Sequence, residues 1–393
     1  MPSIRLSQRL PYLALILIFG YMLVSSCGGG GGESGRQQPP TQPPTQPPTP
    51  PVITGCSVTV AEGPFELVFP QESWETRSPE SQGLCPDELE DASSYAFTNG
   101  NATGVVLIVK NGYIVFERYA EERELDDLVT SWSVAKSITS ALMGIAIEEE
   151  RISGLGQSVS AYVSAWDEGR KANITVDHMM TLRTALTEPN ASALYNANDQ
   201  LTMSVDRDLV GNPGEQHIGY SNADVMVAGE VIEQATGMTP QEYFDLRIGR
   251  TIGLSGEWWT DEQGNVLTYC CMDGTARDFA RFGVLFSRNG VWNEQQVVPT
   301  DWIDLTTRPA RENARYSYYW WPVARGGYGA FGLQGQMIVI YPEFDLVVLR
   351  FTRYVRRGDG RTVRTLTNYH DTPAPRNFDN GSFLSLARDS VPD

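Results

Sequence analysis

A strict alternation of apolar and polar positions is absent at the start of the globular part; instead Val105 to Val109 form a solid apolar run. Lys110-Asn111-Gly112 follows, and then Tyr113 to Tyr119. Two β-rich runs joined at Asn-Gly predict a hairpin. The period changes after Ser133. Val134, Ile138, Ala141, Leu142 and Ile145 fall on one helical stripe, with Thr130 or Ser131 as the expected cap. From about Asn173 to Tyr220 the pattern is mixed, as short helices and loops. Asp224 to Ala235 reads as a helix stopped by Gly237, and Ala276 to Phe286 as a second amphipathic helix. Met337 to Tyr341 and Leu346 to Phe351 flank Pro342-Glu343-Phe344-Asp345, a second hairpin. Ser382 is placed to cap a last helix through Ala387. Strands at both ends with helices between them predict an α/β domain of the α+β type. Its central antiparallel sheet draws on both termini, is flanked by helices, and carries an inserted, mostly helical lobe.

The first residues follow different rules. Arg5 and Arg9 precede an apolar run from Leu10 to Val24, which ends in Val24-Ser25-Ser26-Cys27. That run is shorter than the ~20 residues a spanning helix needs. It resembles a bacterial lipoprotein signal, which implies removal of residues 1–26 and a lipid on Cys27. An ordinary secretory signal and a short anchor are the alternatives. Gly28 follows the cysteine where an aspartate is the usual inner-membrane retention signal, so a periplasmic or outer-membrane place in the cell envelope is expected. Gly28 to Gly32 and then the proline repeats Pro39 to Pro51 form a tether over residues 27–55. Its proline part spans roughly 40 Å as polyproline II. The catalytic domain is expected over residues 56–393.

Composition narrows the chemistry. The chain has 393 residues, 41% of them hydrophobic, and a formal net charge of -18. A sizeable core is available, and so acidic a chain lacks the basic footprint of nucleic-acid binding. Five cysteines agree with export. With Cys27 lipidated, Cys56 and Cys85 are the disulfide candidates that would staple the N-terminal segment to the domain. Adjacent Cys270 and Cys271 are buried thiols, a vicinal bridge, or partners of the first two.

Ser133 and Lys136 are three residues apart at a helix start, so hydroxyl and amine share a face. A serine attacks only when a base takes its proton, and a desolvated lysine can lose its charge and serve. Ser-x-x-K alone is weak, since about one or two arise by chance in a chain this long. Downstream stands Tyr220-Ser221-Asn222, whose tyrosine beside an ammonium is expected to favour its phenolate and act as base. Further on, Gly332-Leu333-Gln334-Gly335-Gln336 opens a strand, where glycine admits a substrate and a backbone N–H can donate to an oxyanion. The three histidines are scattered, and His178 reads as a packed helical residue. No Gly-x-Ser-x-Gly elbow, zinc motif, P-loop or dinucleotide fingerprint occurs, so no metal and no cofactor are expected.

Taken in order, Ser133-x-x-Lys136, Tyr220-Ser221-Asn222 and the Gly335-Gln336 strand resemble the β-lactamase-related serine hydrolases. The likeness is to the class C β-lactamase, esterase and 6-aminohexanoate-dimer hydrolase types, over roughly Glu72 to Phe351. Ser131 to Ser137, Ala276 to Gly283 and Tyr341-Pro342-Glu343-Phe344-Asp345-Leu346 support it. The resemblance implies a β-lactamase/transpeptidase-like fold and an acyl-enzyme on Ser133. It makes Lys136 and Tyr220 the acid/base pair and Asn222 a network contact, with the Ser133 and Gln336 N–H groups as oxyanion donors. Gln334, Gly335 and Tyr195 are expected substrate contacts, and Asp199 a weaker one. Two departures stand out. The family's Lys-Thr-Gly is here the uncharged Gln334-Gly335-Gln336, which favours esters or small amides over β-lactams or D-Ala-type peptides; Arg183, Arg325 or Arg350 would have to replace the cation. Thr184-Ala185-Leu186 stands where relatives have Ser-Gly-Leu. A β-lactamase or cell-wall peptidase, and a non-catalytic binding lipoprotein, are the competing readings. The expected partners are a small ester, amide or peptide and, through the N-terminal lipid, a bilayer.

Overall fold

The computed structural model describes residues 67–215, 219–308, 316, 318–355 and 375–392. The apolar run, Cys27, the tether and Cys56 lie outside the described residues. So do His217 and His370. The first strands are β1 Thr103–Lys110, β2 Tyr113–Tyr119, β3 Leu128–Thr130, β4 Glu257–Trp258 and β5 Met272–Thr275. They are followed by β6 Val291–Trp292, β7 Gln295–Gln296, β8 Trp321–Val323, β9 Gly327–Gly332, β10 Gln336–Tyr341 and β11 Leu346–Thr352. The α-helices begin with α1 Pro86–Ala96, α2 Ala135–Glu148, α3 Val176–Met180, α4 Ala191–Tyr195 and α5 Gln200–Val205. Then come α6 Asn222–Thr236, α7 Pro240–Phe244, α8 Arg250–Ile252, α9 Ala276–Ser287, α10 Thr300–Thr307 and α11 Asn380–Asp389.

The main sheet has the order β2-β1-β11-β10-β9-β8, and its pairs are antiparallel. Leu107 of β1 lies opposite Leu349 of β11, so the two ends of the chain meet in the middle of the sheet. Successive side chains on a strand point to opposite faces. Val106, Ile108, Val339 and Val348 pack with Leu89 of α1 and Phe383 of α11. Leu107, Ile338, Val347 and Leu349 face the larger core with Phe279 and Phe282 of α9. Both faces are covered, which is why these strands are solid runs of Val, Ile and Leu with no polar alternation. The first hairpin turns at Asn111 and Gly112, both with positive φ (55° and 86°), the geometry that Asn-Gly favours.

The long insert between β2 and β8 supplies the helices α2 to α8 and a small sheet of order β3-β5-β4. Helix α2 is its axis: Ala135 to Ala146 are all buried. The chain reaches it through a 3-10 turn over Trp132–Val134, and neither expected cap acts. Thr130 is held in β3, while the Ser131 Oγ accepts from the Met272 N–H at 2.8 Å. Strand β5 takes the Ser131 hydroxyl, and the Thr130 hydroxyl is buried in β3 with no hydrogen-bond partner among the described residues. Helix α6 begins two residues before the expected start, with Ser221 accepting from the Asp224 N–H at 2.9 Å, and ends at Gly237 as expected. Asp379, not Ser382, caps α11, accepting from the Ser382 N–H at 2.7 Å. Among the described residues no helix is long and apolar enough to cross a membrane.

Candidate active site

Ser133 is set in the 3-10 turn that feeds α2, directly after Trp132, whose φ is +44°. A bulky residue at positive φ is costly and persists only where its surroundings impose it. Lys136 lies one turn on, 1% exposed. Its Nζ is 3.0 Å from the Ser133 Oγ, 2.8 Å from the Asn222 Oδ1 and 2.7 Å from the Tyr269 carbonyl oxygen. Desolvation holds the lysine well below its ordinary pKa, opposed by the Glu188 carboxylate. The partners explain what the neutral form can do. Two of the three are carbonyl oxygens, which only accept. A neutral amine donates one N–H to each and turns its lone pair to the third partner, the Ser133 hydroxyl.

Tyr220 completes the group. The Lys136 Nζ is 4.7 Å from the centre of its ring, and its hydroxyl is hydrogen-bonded to Ser133. On the other side its ring lies against Trp321, centroids 6.3 Å apart and nearly parallel, and against Tyr316. Although 39% of its surface is open, the protein surrounds its phenol. Burial raises its pKa, the bond to Ser133 offsets part of that, and Glu188 adds to it. Burial thus favours the neutral tyrosine over the expected phenolate, and the lysine beside it is itself held toward neutrality.

Beneath these groups is a polar frame that no motif in the sequence announces. Glu188 accepts from the Asn222 N–H at 2.8 Å and from the Ser221 hydroxyl at 2.5 Å. A carboxylate is favoured there by the helix N-terminus, while burial raises its pKa. Arg207 pairs with Asp224 at 2.7 Å, both nearly inaccessible to solvent. The Thr184 hydroxyl is 3.0 Å from each Asp224 carboxylate oxygen. The departure at Thr184-Ala185-Leu186 thus keeps a working hydroxyl. It puts Ala185 at φ +60°, in the left-handed region that a glycine would occupy freely.

On the strand side the structure departs from expectation. The segment that abuts the nucleophile is Gly332, the end of β9: a Cβ there would lie 2.5 Å from the Ser131 carbonyl oxygen. Only glycine permits that approach. Gln336 opens the inner strand β10, is 2% exposed, and its side-chain oxygen accepts from the Thr352 N–H at 2.8 Å. Its backbone N–H was the expected oxyanion donor; its side chain is spent inside the sheet, and the residue against the nucleophile's turn is Gly332. The carbonyls of Gln334 and Gly335 point to Arg350, whose Nη1 is 2.7 Å and 3.0 Å from them. Arg350 is buried, and desolvation lowers its pKa to about 9. It serves the β9–β10 turn from within. Arg183 is engaged by Asp177 at 2.7 Å and Arg325 by Asp389. Arg350 is thus buried and Arg183 part-buried, both of them engaged, whereas Arg325 is paired at the surface with its side chain 51% exposed.

Tyr195 is beside the site but buried, its ring edge-on to Trp132 and Tyr269 at 6.0 Å and 5.4 Å. Asp199 is a helix cap, accepting from the Thr202 N–H at 2.8 Å. His178 belongs to a capping box with Thr175. Cys270 and Cys271 are bridged to each other. Cys85 is also disulfide-bonded, with its partner outside the described residues. Among the described residues no cluster of His, Cys, Asp and Glu is placed to hold a metal ion. The functional groups missed from sequence are Glu188 and Tyr269. Glu188 was one acid among many in a loop; Tyr269 acts through its backbone carbonyl, which no side-chain pattern signals.

Residues 94–368 match the family model described as Beta-lactamase. No curated protein matches the chain by sequence. Among solved structures, a Bacillus anthracis protein provisionally assigned as a 6-aminohexanoate-dimer hydrolase is similar, with TM-score 0.64 at 20% identity; the match covers 83% of this chain and 87% of that one. A family VIII carboxylesterase gives TM-score 0.60 at 15% identity, over 79% and 97% of the two chains. A class C β-lactamase from Rhodobacter sphaeroides gives 0.56 at 16% identity, over 78% and 98%. At these identities the likeness is one of fold, and it agrees with the antiparallel sheet and helical insert described above.

Proposed function

Because this chain belongs to the β-lactamase family, we propose that it is a serine hydrolase that cleaves small or medium esters or amides through an acyl-enzyme, with carboxylesterase-like preference. One observation carries the reading: the Lys136 Nζ, held neutral-leaning by burial, lies 3.0 Å from the Ser133 Oγ while its other partners are fixed carbonyl oxygens. Lys136 takes the Ser133 proton as the Oγ attacks the substrate carbonyl carbon. Tyr220, neutral and hydrogen-bonded to Ser133, hands a proton to the leaving alcohol or amine as the carbonyl–heteroatom bond breaks. Water then attacks the acyl carbon, giving up its proton through the same pair, and the acid leaves from Ser133. The Ser133 N–H, with the Leu333 N–H at the end of β9, is the proposed donor pair for the oxyanion. Esters are favoured over β-lactams and D-Ala-type peptides because the segment that lies against the nucleophile's turn, Ala330-Phe331-Gly332-Leu333, carries no charge, and the part-buried Arg183 and buried Arg350 are engaged elsewhere.

A fluorophosphonate probe tests this. The wild-type protein is expected to gain one adduct by intact mass and Ser133→Ala none. An active Ser133→Ala enzyme, or folded wild type that stays unlabelled and hydrolyses no ester, overturns it. A penicillin adduct on Ser133 would move the reading to the cell-wall enzymes. The envelope location is proposed from the N-terminal segment alone. A lipid-modified N-terminus by mass spectrometry, lost in Cys27→Ser, is the expected result.

A further inference from the structure

The segment Leu267–Met272 is the floor of the site, and its covalent chemistry has no part in the mechanism above. Tyr269 presents its carbonyl to Lys136 at 2.7 Å, and the next two residues are Cys270 and Cys271, bridged to each other with their Cα atoms 3.7 Å apart. Both cysteines are fully buried. The bridged segment is stitched to the nucleophile's strand and turn: the Met272 N–H donates to the Ser131 Oγ at 2.8 Å, and the Ser131 N–H donates to the Met272 carbonyl at 2.8 Å. The Cys271 N–H points to the Trp132 carbonyl at 3.4 Å, and the Trp259 N–H donates to the Cys271 carbonyl at 2.9 Å. Cys271 is held at φ +69°, where a residue with a Cβ is disfavoured.

We propose that the Cys270–Cys271 disulfide is a positioning unit for Lys136, holding the Tyr269 carbonyl in place, and that its two-electron reduction switches the hydrolase down. The proposal rests on the serine hydrolase reading. A small dithiol is the reductant. Because both sulfurs are buried, exchange proceeds through transient opening of the Leu267–Met272 segment. The reductant's thiolate attacks one sulfur and its second thiol resolves the mixed disulfide. Cys270 and Cys271 leave as two thiols, and the reductant becomes a cyclic disulfide. Two separate thiols no longer fit the space of one bonded pair in a close-packed interior. Cys271 is then free to leave its left-handed conformation, and the Tyr269 carbonyl shifts with it. The amine loses one of the two acceptors that aim its lone pair at Ser133, and water reaches it. The groups facing Lys136 are Ser133 on its own turn, Tyr220 and Asn222 at the start of α6, Glu188 from the preceding loop, and Tyr269. With Glu188 still present and desolvation relieved, the ammonium is favoured, so the acid limb of the rate moves to higher pH.

The test compares the full chain, the same chain after native treatment with dithiothreitol, and Cys270→Gly/Cys271→Gly. Ester turnover is followed from pH 5 to 9. Peptide mass mapping without reductant first establishes the pairing. The expected result for the double variant is about a tenfold or larger fall in kcat with KM within about twofold, and an acid limb about one unit higher. Dithiothreitol is expected to reproduce this in wild type, reversibly, and to change nothing further in the double variant, which separates the effect from the second disulfide at Cys85. A purely structural role lowers the melting temperature and leaves the pH profile of the folded fraction, counted by fluorophosphonate labelling, where it was. An unbridged Cys270 and Cys271 in the unreduced protein, or a folded double variant with the wild-type kcat and pH profile, overturns the proposal. If Ser133 is never labelled in any form, it is the serine hydrolase reading that has failed.

Discussion

Glu188 shows how one side chain sets both geometry and charge at this site. It anchors the Ser221 hydroxyl and the Asn222 N–H, and its charge raises the pKa of Lys136 against the stronger effect of burial. Glu188→Gln keeps the shape and removes the charge. Lys136 then falls further below its ordinary value, so the acid limb of ester hydrolysis is expected to move to lower pH; a limb that stays put in a pH–rate series counts against it. Ala185 offers a stability test at the same scale. It occupies φ +60°, so Ala185→Gly relieves strain against a gain in unfolded-chain entropy, with a net stabilisation of up to about 1 kcal/mol expected in urea titration. That Ser133, Lys136, Tyr220 and Asn222 lie together was legible in the sequence because their side chains carry chemistry at characteristic spacings. The ionisation of Tyr220 was not legible, since it depends on how much protein surrounds its phenol. The buried setting of the Gln336 side chain was not legible either, because a motif gives a position along a strand and not which strand reaches the nucleophile.

Helix α6 delivers Tyr220 and Asn222 from a buried ionic base. Arg207 and Asp224 are 3% and 1% exposed as side chains, and the pair is further bonded by Thr184. Removing one partner strands the other charge without solvent, so Arg207→Met is expected to cost about 3–5 kcal/mol in urea titration. A mere surface bridge would cost less than about 1 kcal/mol. Elements with strong local grammar were legible: the Asn111-Gly112 hairpin, the helix stopped by Gly237, and α9 with its Thr275–Asp278 capping box. β8 and β9 were not. Gly326, Gly327, Gly329 and Gly332 interrupt the alternation there, and the order comes from pairing with β10. α1 was missed because most of its residues are polar and only a narrow stripe through Leu89 and Ala92 is buried. The cap at Ser131 failed for a tertiary reason, its hydroxyl being taken by a strand that follows it by more than a hundred residues in sequence.

Taken as a whole, the molecule's stability carries a pH signature outside the site. Lys110 is buried at the end of β1, and desolvation lowers its pKa to about 8, with Asp345 opposing. The unfolded chain keeps the ordinary value, so between about 8 and 10.5 it binds more protons than the folded one. Stability should therefore rise with pH across that window, by up to about 3 kcal/mol from this group. Below it the cost of burying the ammonium is fully present. Denaturant titrations are expected to lose that increment in Lys110→Met; an unchanged slope would assign it to other groups.

The seam where Thr103 faces Thr352 has a consequence for any chain that is not complete. β11 is the last strand of the main sheet in sequence, yet it lies between β1 and β10. Until it is made, Ser133 and Lys136 already exist, but the sheet against which their turn is set has a gap at its centre. Two apolar strand edges stand open on either side of that gap, each a template for pairing with another chain. A stalled or clipped product that ends before Leu346 is thus expected to be both catalytically silent and prone to aggregate. The site is therefore expected to be assembled only as the gap closes, so that its completion reports that of the chain.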